Sequence, residues 1–290
     1  MKWTNKLNLP EPVFNALVIN NHVTNGEISV TQSLREPYQD VLMRKHSQDI
    51  EKDVSDNIWA LFGTAIHHIL EMGSTENDDY NTEMKLTVKV PLPGEPYKKW
   101  QMSGSADLYT KKTFTLQDYK SISVFKYKNK DYDDWTEQLN MYAYMARQKG
   151  IRVDKIQIVA ILKDWRKGEA MREWSYPQCP IALINLPLWE NEKTWDFIKE
   201  RIALHYIARE KGKMNVCSDK YCWKRPDVWK VIKKGNKRAT KNHTVEADAI
   251  KHCEELNTTK KGEFIITFQK GEYTRCMGYC DVKIHCERFK

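Results

Sequence analysis

The chain has 290 residues, 41% hydrophobic and 30% charged, with 10 Trp and 14 Tyr. That composition excludes a disordered polypeptide and allows one sizeable domain or a core with an appendage. The formal net charge of +8 and a pI of about 8.9 favour a polyanionic partner. No apolar run is long enough to span a bilayer, and the opening MKWTNKLNLPEPVF lacks a signal-like apolar stretch. A cytoplasmic protein with reduced thiols and no membrane partner is therefore expected.

In chain order, residues 28–38 (ISVTQSLREPY) predict a strand or turn leading into a helix. From 56 to 71, Ile58, Trp59, Phe62, Ile66, Ile69 and Leu70 recur at helical spacing. Residues 73–81 (GSTENDDYN) have loop composition. Met84, Leu86, Val88 and Val90 alternate with polar residues, which is the signature of a strand. A turn over 91–99 precedes a second strand at 100–109, with Trp100, Met102, Ala106 and Leu108 on one face, and a third strand spans 113–120. Short turns between consecutive strands predict an antiparallel meander. Trp135, Leu139, Tyr142, Ala143 and Ala146 mark an amphipathic helix. KIQIVAIL at 155–162 fits a buried central strand, and 189–208 reads as a long helix. This order predicts an α/β fold over 1–208, a mixed central sheet flanked by helices. Beyond it, strands at 229–234, 238–242 and 263–268 with a helix at 245–256 predict a small basic α+β appendage over 209–290.

Two short stretches carry the chemistry. In DYK, side chains two apart on a strand share a face, so Asp118 and Lys120 project together. The preceding turn brings Asp107 of GSAD beside them. Two carboxylates held close repel unless a cation sits between them, and their oxygens suit Mg2+ or Mn2+. Such an ion neutralises phosphodiester oxygens and activates water, while a neighbouring lysine orients or helps deprotonate that water, or stabilises developing charge. An isolated D-x-K is more often a surface salt bridge. The flanking segments shift the balance: His67 lies on the preceding helix and can complete a carboxylate-rich metal shell, and Gln138 shares a face of the following helix with Tyr142.

In order, G-x-x-x-H (63–67), G-x-x-D (104–107), D-x-K (118–120) and Q-x-x-x-Y (138–142) resemble the RecB-like branch of the PD-(D/E)XK nuclease superfamily. That branch includes CRISPR-associated RecB-like exonucleases and, more distantly, lambda-type exonucleases; the similarity is strongest to phage-encoded enzymes and covers residues 28–206. No proline precedes the first acid here, as is common in the branch. The resemblance implies a restriction-endonuclease-like core and a metal-dependent DNase. It implies that Asp107, Asp118 and the Tyr119 backbone carbonyl hold Mg2+ or Mn2+ with His67 as an added ligand, and that Lys120 is catalytic. Gln138 and Tyr142 would support the site or the DNA, and Glu83 is a supporting or DNA-facing acid.

Seven cysteines in a reducing compartment point to metal before disulfides. Cys276, Cys280 and Cys286 stand C-x3-C-x5-C, and with Cys217 or Cys222 they can supply four thiolates to Zn2+ or an iron–sulfur cluster. Cys217 is preferred, because Cys222 adjoins Trp223 and is expected to pack; Cys179 and Cys253 read as structural. RecB-like relatives with four cysteines often hold a [4Fe–4S] cluster, usually with a C-x2-C-x5-C ending and a first cysteine before the nuclease motifs, so spacing and order both differ here. Lys224, Arg225, Lys233, Lys234 and Arg238, interleaved with Tyr221, Trp223 and Trp229, are the candidate nucleic-acid contacts.

The expectation is a DNA nuclease, an exonuclease ahead of an endonuclease, acting in phage or bacterial DNA processing or recombination. Its location would be the bacterial host cytoplasm if it is phage-encoded, and a single-strand-annealing or recombination protein is the candidate protein partner. The rivals are a non-catalytic nucleic-acid-binding module on the same fold and a zinc-stabilised recombination-partner protein.

Overall fold

The computed structural model describes residues 1–19, 25–73, 78–260 and 262–290. The chain divides into two compact units, Met1–Met214 and Asn215–Lys290. The boundary expected after residue 208 falls inside a helix that continues to Lys211. Arg209 extends that helix by pairing with the buried Asp40 at 2.8 Å, which ties the extra turn to the first unit.

The first unit begins with β1 (Lys2–Thr4), α1 (Glu11–Val18), β2 (Ile28–Ser29), α2 (Val30–Ser33), α3 (Pro37–Lys45), β3 (Glu51–Asp53) and α4 (Ile58–Met72). It continues through β4 (Tyr80–Leu92), β5 (Glu95–Thr110), β6 (Thr115–Ile122), α5 (Val124–Asn129), α6 (Asp133–Gln148) and β7 (Lys155–Leu162). It ends with α7 (Lys167–Arg172), β8 (Ile181–Leu186) and α8 (Asn191–Lys211). A capping box starts α2: Ser29 Oγ accepts from Gln32 N, and Gln32 Oε1 accepts from Ser29 N.

The fold is α/β, with a six-stranded mixed sheet flanked by helices, in the order β2-β5-β6-β7-β8 with β4 also on β5. β4, β5 and β6 are antiparallel neighbours, β6 and β7 run parallel around the α5–α6 crossover, and β8 closes antiparallel. β4 lies along one edge of β5, and two partners share the other: Leu108, Tyr109 and Thr110 pair with β6, whereas Met102 and Ser103 pair with β2. Between them the sheet opens.

KIQIVAIL fully buries only alternate residues, Ile156, Ile158, Ala160 and Leu162, which join Leu116, Leu139 and Met145 in one core. α4 forms as its periodicity predicts but buries no residue fully, and Trp59 stays 61% exposed. The expected loop at 73–81 lies partly outside the described residues and gives way to β4 at Tyr80. The turn expected over 91–99 contracts to Pro93–Gly94, where Gly94 takes φ +73°.

In the second unit, β9 (Val228–Lys233) is the centre of an antiparallel sheet with β10 (Lys241–His243) and β11 (Phe264–Gln269). α9 (Glu246–Thr259) packs Ala249, Cys253 and Leu256 with Val231 and Phe264, and α10 (Thr274–Gly278) follows. Among the described residues no helix is long and apolar enough to cross a membrane.

Candidate functional site

The site forms where β5 and β6 part. The ladder ends at Leu108↔Gln117. Beyond it, the Asp107 carboxylate takes the place of a backbone acceptor: its Oδ2 accepts from Tyr119 N at 2.8 Å. α4 supplies His67, whose Nε2 lies 2.9 Å from Tyr119 O and whose Nδ1 lies 3.4 Å from Asp107 Oδ2. One helical turn earlier, a Cβ on Gly63 would stand 4.0 Å from Ser121 Oγ. Four helical residues rise about 6 Å and two strand residues about 6.6 Å. G-x-x-x-H therefore steps along β6 in phase with Tyr119 and Ser121.

Asp118 and Lys120 point the other way, towards α6. Gln138 Nε2 donates to Asp118 Oδ1 at 3.4 Å and to Tyr142 Oη at 3.2 Å. Tyr142 lies against Gly104, where an added Cβ would fall 2.3 Å from Tyr142 Cε1. G-x-x-D thus begins with glycine to make room for a ring. Lys120 Nζ stands 2.7 Å from Asp118 Oδ2, an ion pair that leaves this buried oxygen without a well-angled hydrogen bond.

Asp107 is 9% exposed and Asp118 2%. Burial first, then the Asp118 charge, push the Asp107 carboxyl up to about 8, against the pull of the Tyr119 N–H and Lys120. Burial pulls the Lys120 ammonium down, and Asp118, with Asp107 and Asp134, more than reverses this, so Lys120 ends above its ordinary value. That direction favours the ammonium, which can donate in a hydrogen bond. Burial also pushes the Tyr142 hydroxyl up to about 12.

Glu83 joins the site more closely than its sequence signal, the polar phase of a strand, suggested. It stands opposite Asp107 in the β4–β5 register, between Thr82↔Leu108 and Met84↔Ala106, with a left-handed φ of 46°. That conformation is uncommon and costly for a residue with a Cβ. Its Oε2 accepts from Ser105 Oγ at 2.8 Å and lies 3.5 Å from Lys85 Nζ. Ligand atoms of His67, Glu83 and Asp107 fall within 4.8 Å of one another, and Asp118 stands outside this trio. Two carboxylates, an imidazole and the Tyr119 carbonyl form a donor set that fits Mg2+ or Mn2+. The mutual repulsion of buried Asp107 and Asp118 is what a cation would relieve. His67, Asp107, Asp118, Tyr119, Lys120, Gln138 and Tyr142 all meet here.

In the second unit, residues 222–225 run against 272–275: Arg275 N donates to Cys222 O, Thr274 N to Trp223 O, and Arg225 N to Glu272 O. Cys222 is buried, as expected, yet it lies beside Cys276 and near Cys217. Burial, a hydrogen bond with Cys276 and the nearby Cys217 push its thiol well above the usual range. Cys222 packs as the preference for Cys217 expects, and both lie near the Cys276 end of the unit. Among the described residues, no three thiols lie within 4.8 Å of one another. A tetrahedral Zn2+ with Zn–S of about 2.3 Å would hold its sulfurs about 3.8 Å apart. Cys253 belongs to the small core, and Cys179 is exposed in the first unit. Of the expected nucleic-acid contacts, Lys224 pairs with Asp219 at 3.2 Å and Lys234 with Glu263 at 2.6 Å. The Lys233 chain covers Gly262, and Arg225 and Arg238 are exposed.

The chain matches no protein-family profile and no curated protein. Among solved structures it is similar to the crystal structure of SSO0001, at 17% identity and a TM-score of 0.45, over 66% of this chain and 82% of that one. A likeness at that level carries no argument about fold or activity.

Proposed function

We propose that the first unit is a divalent-metal-dependent DNA nuclease of the RecB-like PD-(D/E)XK kind that its motifs resemble. The observation that supports this best is the convergence of His67, Glu83 and Asp107 at the opening between β5 and β6, beside the buried Asp118–Lys120 pair. Glu83, Asp107, His67 and the Tyr119 carbonyl would hold the ion, with the buried Asp118 carboxylate, paired to Lys120, beside them. When bound, the ion supplies Lewis-acid activation of water and neutralises phosphate charge.

The chain's own residues do the rest. Asp118 keeps Lys120 charged and in place, and Lys120 donates to the charge that builds on the phosphate oxygens. Gln138 fixes the Asp118 carboxylate from α6 and is itself fixed by Tyr142. The opened ladder keeps the Tyr119 carbonyl facing His67 instead of β5. Lys120→Ala tests the assignment: DNA binding should persist while cleavage is abolished. Normal turnover in that variant would remove the proposal's central residue.

A further inference from the structure

The second unit holds seventeen Lys and Arg against ten Asp and Glu across residues 215–290, a net +7 of the chain's +8. Its surface carries a groove of about 540 Å3 lined by Lys220, Trp223, Lys224, Arg225, Trp229 and Thr244, with Asp219 and Asp227 in its wall. Both acids are already engaged. Asp219 meets Lys224 and Arg288 at 3.2 Å each, and Asp227 Oδ1 accepts from Gly271 N at 2.7 Å. Three cations, Lys220, Lys224 and Arg225, against two carboxylates leave the lining one net positive charge, with Arg225 exposed.

The two tryptophans complete it. Trp223 is 50% exposed and takes a left-handed φ of 50°, a conformation in which a bulky residue is an outlier. The backbone ladder to 272–275 holds it there. Arg275 and Tyr279 brace the indole, with Arg275 Cζ 5.3 Å and the Tyr279 ring centroid 5.5 Å from the indole. Trp229, braced by Phe268 at 5.1 Å, also lines the groove. Ring faces beside cations suit a strand with unpaired bases, because bases stack on aromatics while phosphates meet Lys and Arg. A duplex offers phosphates but keeps its base faces stacked inside.

We infer that this groove binds single-stranded nucleic acid, with bases stacking on Trp223 and Trp229 and phosphates meeting Lys220, Lys224 and Arg225. The site lies within the second unit and stands whether or not the first unit cleaves.

The test uses the full chain in EDTA, so that binding is read without cleavage. Fluorescence anisotropy would follow labelled oligo(dT) and oligo(U) of about 12 nucleotides, and a duplex of equal length. Trp223→Ala is expected to weaken single-strand binding roughly tenfold, from one lost stacking contact, and to leave duplex binding within about twofold. Trp223→Phe, which keeps a ring, should stay close to the native chain. Arg225→Ala, on the exposed rim, should lower affinity and reduce the slope of log K against log salt by about 1; it carries the test should Trp223→Ala fail to fold. Equal losses on single strands and duplex, no loss in Trp223→Ala or Arg225→Ala, or no binding of either oligomer by folded protein would each overturn the inference.

Discussion

Gly104→Ala would place a Cβ 2.3 Å from Tyr142 Cε1 and 3.2 Å from both Cδ1 and Cζ. Carbon atoms settle at about 3.5–4.0 Å, so the ring has to retreat by more than about 1 Å. It has little room, since Tyr142 is 4% exposed in the main core. Overpacking of this kind costs about 1–3 kcal/mol. For a unit of this size each kcal/mol moves the melting temperature by about 2–4 °C, so a fall of about 2–12 °C is expected by circular dichroism. Movement of the ring also takes Tyr142 Oη from Gln138, which holds Asp118, so cleavage should fall with stability. Gly104→Ala/Tyr142→Leu removes the clash, and its stability should exceed the sum of the single effects. An unmoved melting temperature in Gly104→Ala, or strictly additive effects in the double variant, would refute the reasoning.

Asp118→Asn strips the partner from a lysine whose side chain is a quarter exposed. The cost should be about 3 kcal/mol, the lower end for a broken buried pair. Urea unfolding should show much of it restored in Asp118→Asn/Lys120→Met, and equal stability of the two variants would contradict this. In metal-free protein, burial and the Asp118 charge push the Asp107 carboxyl from an ordinary 3.8 up to about 8, so the folded chain keeps a proton there that the unfolded chain has lost. Its contribution to stability should therefore fall as pH rises from about 4 to about 8. Asp107→Asn should flatten that slope in EDTA melts, and an unchanged slope would refute the assignment. For the thiols, elemental analysis after anaerobic purification tests the expectation of a cysteine-bound metal: Cys222→Ser and Cys276→Ser should both lower iron or zinc, Cys179→Ser should not, and metal-free native chain would remove the expectation. Full metal content in Cys222→Ser would return the preference to Cys217.

What the sequence reveals about this chain is what local periodicity encodes. The alternation from Met84 to Val90, the helical spacing from Trp135 to Ala146 and the apolar run 155–162 each predict an element that forms. They suffice for the order of strands and helices around a mixed sheet. β8 went unseen because only Ile184 and Leu186 of its six residues are buried, so an edge strand shows no clean alternation. Glu83 is harder still. Its left-handed backbone and its approach to Asp107 depend on a strand paired from 24 residues away, which no local pattern records. The exposure of Trp59 and Ile69 shows the opposite limit: helical spacing of apolar residues fixes a face but not whether anything covers it. Cys222 was read by its neighbour Trp223, while its position among the thiols follows from the pairing with 274–275.

The central claim is that the β5–β6 opening is a metal-dependent phosphodiesterase site. Its most direct test is cleavage of end-labelled linear DNA and covalently closed circular DNA, with Mg2+ or Mn2+ against EDTA, alongside Asp107→Asn. The account predicts cutting with the ions, none in EDTA and none in the variant, and an uncut circle would make the activity end-dependent. No cleavage of any DNA by folded, metal-replete protein, or equal cleavage by Asp107→Asn, would contradict it.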